Sequence, residues 1–217
     1  QDVSIEGLAL DGNKAQETFA LNGCRGGGVF LLGCRRVAVR DIEVRNFRGD
    51  GISFQQNVDI VVERCHVHHN TGGGVHPGSG TVRYVMAGNR IHDNGASGIF
   101  YCLRTMHSIC RDNDIRGNGG PGISIGERDS DHLVLDNTIH GNGQPGIDFR
   151  KPGRRSGDRV ILRGNRISGN GGKGEIVVPA RLEDILVEGN TITPGKAHRP
   201  ALYVKAGCRR VNFVGNT

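Results

Sequence analysis

Apolar residues in this chain come in short alternating runs, and the runs recur at a fixed interval. The clearest series opens with Gly: Gly28-Val-Phe-Leu, Gly51-Ile-Ser-Phe, Gly74-Val-His-Pro, Gly98-Ile-Phe-Tyr, Gly122-Ile-Ser-Ile and Gly146-Ile-Asp-Phe, spaced by 23, 23, 24, 24 and 24 residues. Looser copies follow at Gly174-Glu-Ile-Val and Ala201-Leu-Tyr-Val, after an insertion rich in Lys, Arg and Gly over Arg150–Asp158. A second series keeps the same period: Asn89-Arg-Ile-His-Asp-Asn, Asn113-Asp-Ile-Arg-Gly-Asn, Asn137-Thr-Ile-His-Gly-Asn, Asn165-Arg-Ile-Ser-Gly-Asn and Asn190-Thr-Ile-Thr. Between the two lie apolar stretches such as Val58–Val62, Val82–Met86, Leu133–Leu135, Val160–Leu162 and Ile185–Val187.

Each repeat thus predicts three strands of about three to five residues, separated by Gly/Asn turns. About 24 residues are too few for a four-stranded propeller blade, and no 3.6-residue period supports a helical or leucine-rich repeat. Three short strands per turn, stacked ~4.8 Å apart, define an all-β parallel β-helix. Seven to nine coils are expected, in one domain over residues 1–217. Asn and Gly tolerate the left-handed backbone that tight corners need. Asn recurring at one place in each coil can also hydrogen-bond its copies above and below. The chain opens at Gln1 and stops inside a repeat, which suggests that part of the native chain is missing at one or both ends.

Alternation assigns the faces of the Gly-led strand. The first and third residues after Gly are apolar and point inward (Val29, Ile52, Val75, Ile99, Ile123, Ile147; Leu31, Phe54, Pro77, Tyr101, Ile125, Phe149). The second and fourth point outward and vary: Phe30, Ser53, His76, Phe100, Ser124 and Asp148, then Leu32, Gln55, Gly78, Cys102, Gly126 and Arg150. Ser79, Arg104, Glu127, Arg128, Asp129, Asp131 and His132 follow the strands and are expected to edge the same surface. Variety on one sheet and monotony on the others is the pattern of a ligand groove on a repetitive scaffold.

Composition excludes several classes. The 217 residues include 36 Gly and no Trp, too much Gly for long helices, each interior Gly costing about 1 kcal/mol there. Gly does not fall at every third position, so the chain is not collagen. With 35% hydrophobic residues in regular recurrence it is not disordered, and no apolar run approaches the ~18 residues of a membrane span. The net charge of +6, mostly from Arg, favours an anionic partner. Basic residues are scattered and aromatics few, so nucleic acid has little support. Six cysteines (Cys24, Cys34, Cys65, Cys102, Cys110, Cys208) show no metal-type spacing and read mostly as small buried hydrophobes.

The segments Gly74-Val-His-Pro-Gly-Ser, Gly98-Ile-Phe-Tyr-Cys-Leu-Arg, Gly122-Ile-Ser-Ile-Gly-Glu-Arg and Gly146-Ile-Asp-Phe-Arg resemble successive coils of bacterial right-handed β-helix proteins of the pectate-lyase-like kind. The layout is similar to that of mannuronan C5-epimerases and related polysaccharide lyases, over most of residues 3–217 as a fold. As chemistry the similarity is confined to Gly74–Ser79 and Leu103–Arg104. The epimerase pattern there reads Gly-x-Asp-Pro-His; here His76 occupies the Asp position and Gly78 the His position, and the Arg of the next coil is matched one place late by Arg104. The resemblance implies an extracellular or periplasmic protein acting on an acidic, uronate-containing polysaccharide.

Epimerisation and β-elimination of a uronate both begin with removal of the C5 proton, which needs a base and a cation to neutralise the carboxylate. His76 is the candidate base, and Arg104 or Arg150 the candidate cation. Glu127 and Asp148 complete the expected catalytic set, and Gln55, Ser79, Phe100, Ser124, Arg128, Arg150 and His132 the substrate-binding set. Asp129 and Asp131 could hold a Ca²⁺ ion, the possible cofactor, although no contiguous calcium loop is present. A glycoside hydrolase is the alternative, with Asp148 and Glu127, Asp129 or Asp131 as its carboxylate pair. The Asp-Asp pair and Gly-His-Gly of polygalacturonases are absent. A non-catalytic polysaccharide-binding or structural coil is the third reading. His68, His92 and His140 fall at equivalent places, but Arg116 in the same column opposes a metal; His66 and His69 read as surface residues. Cys102 is outward, with no His evident beside it to serve as a base.

Overall fold

A computed structural model describes residues 2–17, 23–150, 157–195 and 199–217. The central part of the insertion noted above, 151–156, lies outside the described residues. The chain winds as a parallel coil with three walls. One sheet has nine strands, from Val3–Glu6 to Arg209–Val214. A second has eight short strands, from Ala9–Asp11 to Thr191–Thr193, and carries the Asn-led segments. The third has eight, from Val29–Leu32 to Leu202–Val204, and carries the Gly-led segments. All pairings are parallel and join one coil to the next, as the repeat spacing predicts.

Register places like on like. Val67, Ile91, Ile115 and Ile139 are successive partners, and all are 0% exposed. The inward residues of the Gly-led strands from Ile52 to Ile147 are equally inaccessible. Gly opens these strands because the chain turns there directly over an inward Ile. A Cβ at Gly98 would sit 2.5 Å from Ile115 Cγ2 and 2.7 Å from the Gly122 carbonyl oxygen. The looser copy at Gly174 sits one place off. Ile147 pairs with Ile176, so Glu175 rather than Gly174 stands opposite Gly146.

Two asparagine ladders run through the corners, as the repeats predict. In one, the Nδ2 groups of Asn89, Asn113, Asn137, Asn165 and Asn190 each donate to the Oδ1 of the next member, at 2.8–2.9 Å. The other runs Asn70, Asn94, Asn118, Asn142, Asn170 and ends on buried Glu175, whose carboxylate accepts from Asn170 Nδ2 at 2.6 Å. Each amide also donates to a backbone carbonyl of the preceding coil, as Asn118 Nδ2 does to Ile91 at 3.2 Å. Asn118→Leu would leave the buried Asn94 N–H without its acceptor and remove the Nδ2 bonds to the Ile91 carbonyl and to Asn142 Oδ1, which keeps the residue 118 N–H. One buried orphan at ~1–3 kcal/mol and two lost hydrogen bonds at ~0.5–1.5 kcal/mol each should together destabilise the fold by about 3 kcal/mol. Urea unfolding checks this; a loss below about 1 kcal/mol would show that the ladder is replaceable.

The long-strand sheet explains why the charges are interspersed. In eight of its nine strands the second residue is held at positive φ: Arg36 51°, Asp59 60°, Arg83 54°, His107 57°, Asp131 61°, Arg159 54°, Asp184 59° and Arg210 50°. Opposite charges then meet between coils, with Arg83 Nε to Asp59 at 2.7 Å, Arg159 Nε to Asp131 at 2.6 Å, and Arg210 to Asp184. Such exposed pairs contribute only ~0.2–1 kcal/mol each.

Candidate functional site

The Gly-led wall brings together a compact group around His76. Asp50, the residue just before Gly51, lies one coil below. Its Oδ2 accepts from His76 Nδ1 at 2.7 Å and its Oδ1 from the Gly73 N–H at 2.6 Å. Only 6% of Asp50 is exposed. With Nδ1 held by Asp50, Nε2 is the nitrogen left for the neighbouring Cys102 thiol or for a substrate proton. Burial disfavours charge on this ring, but the hydrogen bond and charge of Asp50, with the adjoining Cys102, outweigh it and raise the His76 pKa to about 9. Sequence reasoning did not single out Asp50. The signal was there: among the residues preceding the Gly-led strands (Gly27, Asp50, Gly73, Ser97, Pro121, Pro145) it alone is acidic.

One coil above, the Phe100 ring stands edge-on to His76, with centroids 5.0 Å apart. The guanidinium carbon of Arg150 lies 4.0 Å over the centre of the Phe100 ring. Arg150 reaches it by folding back across two coils, donating to Ser124 Oγ at 2.9 Å and to the Tyr101 carbonyl at 2.6 Å. Gly126 makes that path possible, since a Cβ there would sit 2.5 Å from Arg150 Nε. Cys102, half-buried, lies beside His76 and contributes to the rise in its pKa. This corrects the expectation that no imidazole stands beside that thiol.

Other expected site residues fall elsewhere. Arg104 is exposed, at φ 64°, and makes no described hydrogen bond or ion pair with His76 or Asp148. Of the two arginines that spacing offered, Arg150 is the one that lies over Phe100 next to His76. Asp148 faces outward but is three strands from His76, about 14 Å at ~4.8 Å per strand. Burial raises its pKa against the opposing pull of Arg150. Ser124 is 1% exposed and anchors Arg150, so it is not an open binding residue. Gln55 is 6% exposed and is tied to Ser53 Oγ at 2.9 Å. Ser79 sits in the turn after Gly78, at φ 48°. Glu127 and Arg128 are exposed neighbours, 3.8 Å apart.

The segment after Glu127 was expected to edge the groove, and its three remaining candidates do not. Asp129 is wholly buried. Its Oδ1 accepts from the Thr105 N–H and Oγ1 and its Oδ2 from the Gly126 N–H, while burial lifts its pKa to about 6. Asp131 and His132 belong to the long strand Ser130–Leu135, on a different wall. There Asp131 is paired with Arg159, and alternation turns His132 into the core, 0% exposed. The proposed Ca²⁺ pair is thus divided between a satisfied corner and a salt bridge. Beyond Asp148 the wall continues into a cavity of about 630 Å³ lined by Lys173, Arg181, Tyr203 and Lys205.

The family described as "Right handed beta helix region" matches residues 10–111 and 98–217, and the chain belongs to it. That fixes the hand of the coil. Solved structures share the fold at low identity. The periplasmic alginate epimerase AlgG superposes with a TM-score of 0.74 at 15% identity, covering 88% of this chain and 47% of that one. DFA-IIIase from Arthrobacter chlorophenolicus A6, in complex with GF2, gives 0.71 at 13% identity, covering 87% and 50%. Tailspike protein 2 of bacteriophage CBA120 gives 0.58 at 14%, covering 74% and 24%. The uncharacterized protein YclG of Bacillus subtilis (strain 168) is 26% identical over 86 residues, 32% of this chain and 15% of YclG. The chain thus spans half or less of the length of these relatives.

Proposed function

We propose that this coil acts on an anionic, uronate-containing polysaccharide lying along the Gly-led wall, by abstraction of the C5 proton. The observation that carries the reading is the Asp50–His76 pair one coil from the guanidinium of Arg150. His76 Nε2 takes the C5 proton while Arg150 neutralises the carboxylate that receives the negative charge. If the C4–O bond then breaks, the product is an unsaturated uronate; if a proton returns from the opposite face, it is the C5 epimer. The C5 proton is a weak acid, so a base with a pKa raised to about 9 suits it. Lys173, Arg181 and Lys205 extend positive charge along the same wall for further sugar units. Work on an extracellular or periplasmic glycan agrees with the alginate epimerase and tailspike among the structural relatives.

Alginate, pectate and glycosaminoglycans in D₂O provide the test, with deuterium at C5 reporting abstraction and ultraviolet absorbance reporting elimination. Turnover should rise with pH towards about 9 as His76 loses its proton. His76→Ala and Arg150→Ala should each lose at least ~100-fold, and Cys102→Ser should retain activity. Abolition by Cys102→Ser would instead assign a thiol nucleophile assisted by His76 and Asp50. Reducing sugar released from a glycan without C5 exchange would favour hydrolysis with Asp148 as the acid, a role its raised pKa suits. Binding with no turnover would leave a recognition module.

A further inference from the structure

A second cluster stands on the Asn-led wall, away from the groove. His66 and His68 point outward from one strand and His92 from the next coil, directly opposite His68. One ligand atom from each of these three lies within 4.8 Å of the others. His66 Nε2 and His92 Nε2 are 2.7 Å apart, and the His68 and His92 rings stack at 5.0 Å with planes 7° apart. We propose that His66, His68 and His92 bind a borderline transition-metal dication of the Zn²⁺, Ni²⁺ or Cu²⁺ class, linking two successive coils.

The tautomers support it. His92 Nδ1 donates to Asp93 Oδ2 at 2.7 Å, so its Nε2 carries a lone pair. His68 Nε2 donates to Glu43 Oε1 at 3.0 Å, so its Nδ1 carries one as well, which accepts from His69 Nδ1 at 2.7 Å and which a metal would take over. A carboxylate behind a ring is the arrangement that orients metal-binding histidines. Without metal, His66 Nε2–H must donate to the His92 lone pair. With metal, the His66 proton moves to Nδ1 and the ion takes the place of the shared hydrogen. Two nitrogens on one zinc at ~2.0–2.1 Å stand roughly 3.3 Å apart, so the rings need to separate by only about 0.6 Å. The His68 and His92 side chains are 12% and 10% exposed, which shields the site from bulk water. Arg116, the cation expected to oppose a metal in this column, is turned to Asp114 at 3.2 Å. The site is not the column of equivalent histidines: His140 also lies towards Asp114, at 3.7 Å, and His66 from the neighbouring position takes its place.

Metal titration of the intact protein tests the assignment. Zn²⁺ should bind with one tight site per chain by calorimetry and raise Tm, and Co²⁺ should show the visible bands of a nitrogen-ligated site. Mg²⁺ should do neither. His66→Gln and His92→Gln should each weaken Zn²⁺ binding by more than tenfold, and Glu43→Gln or Asp93→Asn, acting through the rings, by about tenfold. His140→Gln on the same wall should change nothing. Circular dichroism without metal establishes that each variant is folded. Absence of tight Zn²⁺ binding, or binding that survives the folded His66→Gln/His92→Gln double variant, overturns the proposal. The readout does not involve turnover, so it stands or falls apart from the groove.

Discussion

Asp50→Asn should lower the His76 pKa from about 9 to below the ordinary 6.5 of a histidine. The substitution preserves shape and lets Oδ1 still accept from the Gly73 N–H. What it removes is the charge that opposes burial. The new amide donates towards Nδ1, which a neutral ring accepts and an imidazolium cannot. Stability should change with it. A histidine whose folded pKa exceeds its unfolded value adds stability that is complete below pH 6.5 and is lost as pH rises through about 9. At 1.36 kcal/mol per unit, that contribution is about 3 kcal/mol in the wild type and vanishes in the variant. Titration of His76 by NMR, with urea unfolding at pH 6 and pH 10, checks both halves. A variant still titrating near 9 would mean that Cys102, not Asp50, holds the proton. In the proposed reaction the rate should fall steeply at every pH, because the neutral ring then carries its proton on Nε2, the nitrogen that has to take the C5 proton.

Acid should unfold this protein through His132. The ring is fully buried against Tyr101, with centroids 4.5 Å apart; Nδ1 meets Ser108 Oγ at 2.8 Å, and Nε2 has no partner. Burial lowers its pKa to about 3. The folded value lies below the unfolded one, so stability is intact above pH 6.5 and falls as pH drops towards 3. At 1.36 kcal/mol per unit the loss reaches about 4 to 5 kcal/mol, a large share of the ~5–15 kcal/mol of a typical domain. Asp129 acts in the opposite sense. Its raised value of about 6 adds stability as pH falls towards 3.8, about 3 kcal/mol in all. Both proteins share that gain, so comparison with His132→Leu isolates the histidine. The variant should lose less stability than the wild type between pH 6.5 and 3. Parallel loss would remove His132 as the acid-sensitive group.

These cases mark the boundary between what was legible in the chain and what was not. The coil, its three walls, its inward rows and its asparagine ladders follow from a period of about 24 residues, because stacking identical corners is the one way to satisfy their backbone groups repeatedly. His76, Phe100 and Arg150 were readable for the same reason: alternation places them on one wall. What periodicity does not record is where a long side chain goes once outside, or where one strand ends and the next wall begins. Arg150 bends back two coils while Arg104 extends into solvent. Asp129 and His132 turn inward because a corner and a new strand fall within the run after Glu127. Asp50 becomes part of the site only through a contact between residues 26 positions apart. Repetition along the chain determined the scaffold, since backbone hydrogen bonding depends on register alone; folding in three dimensions decided the chemistry, since charge and burial depend on which side chains from different coils meet.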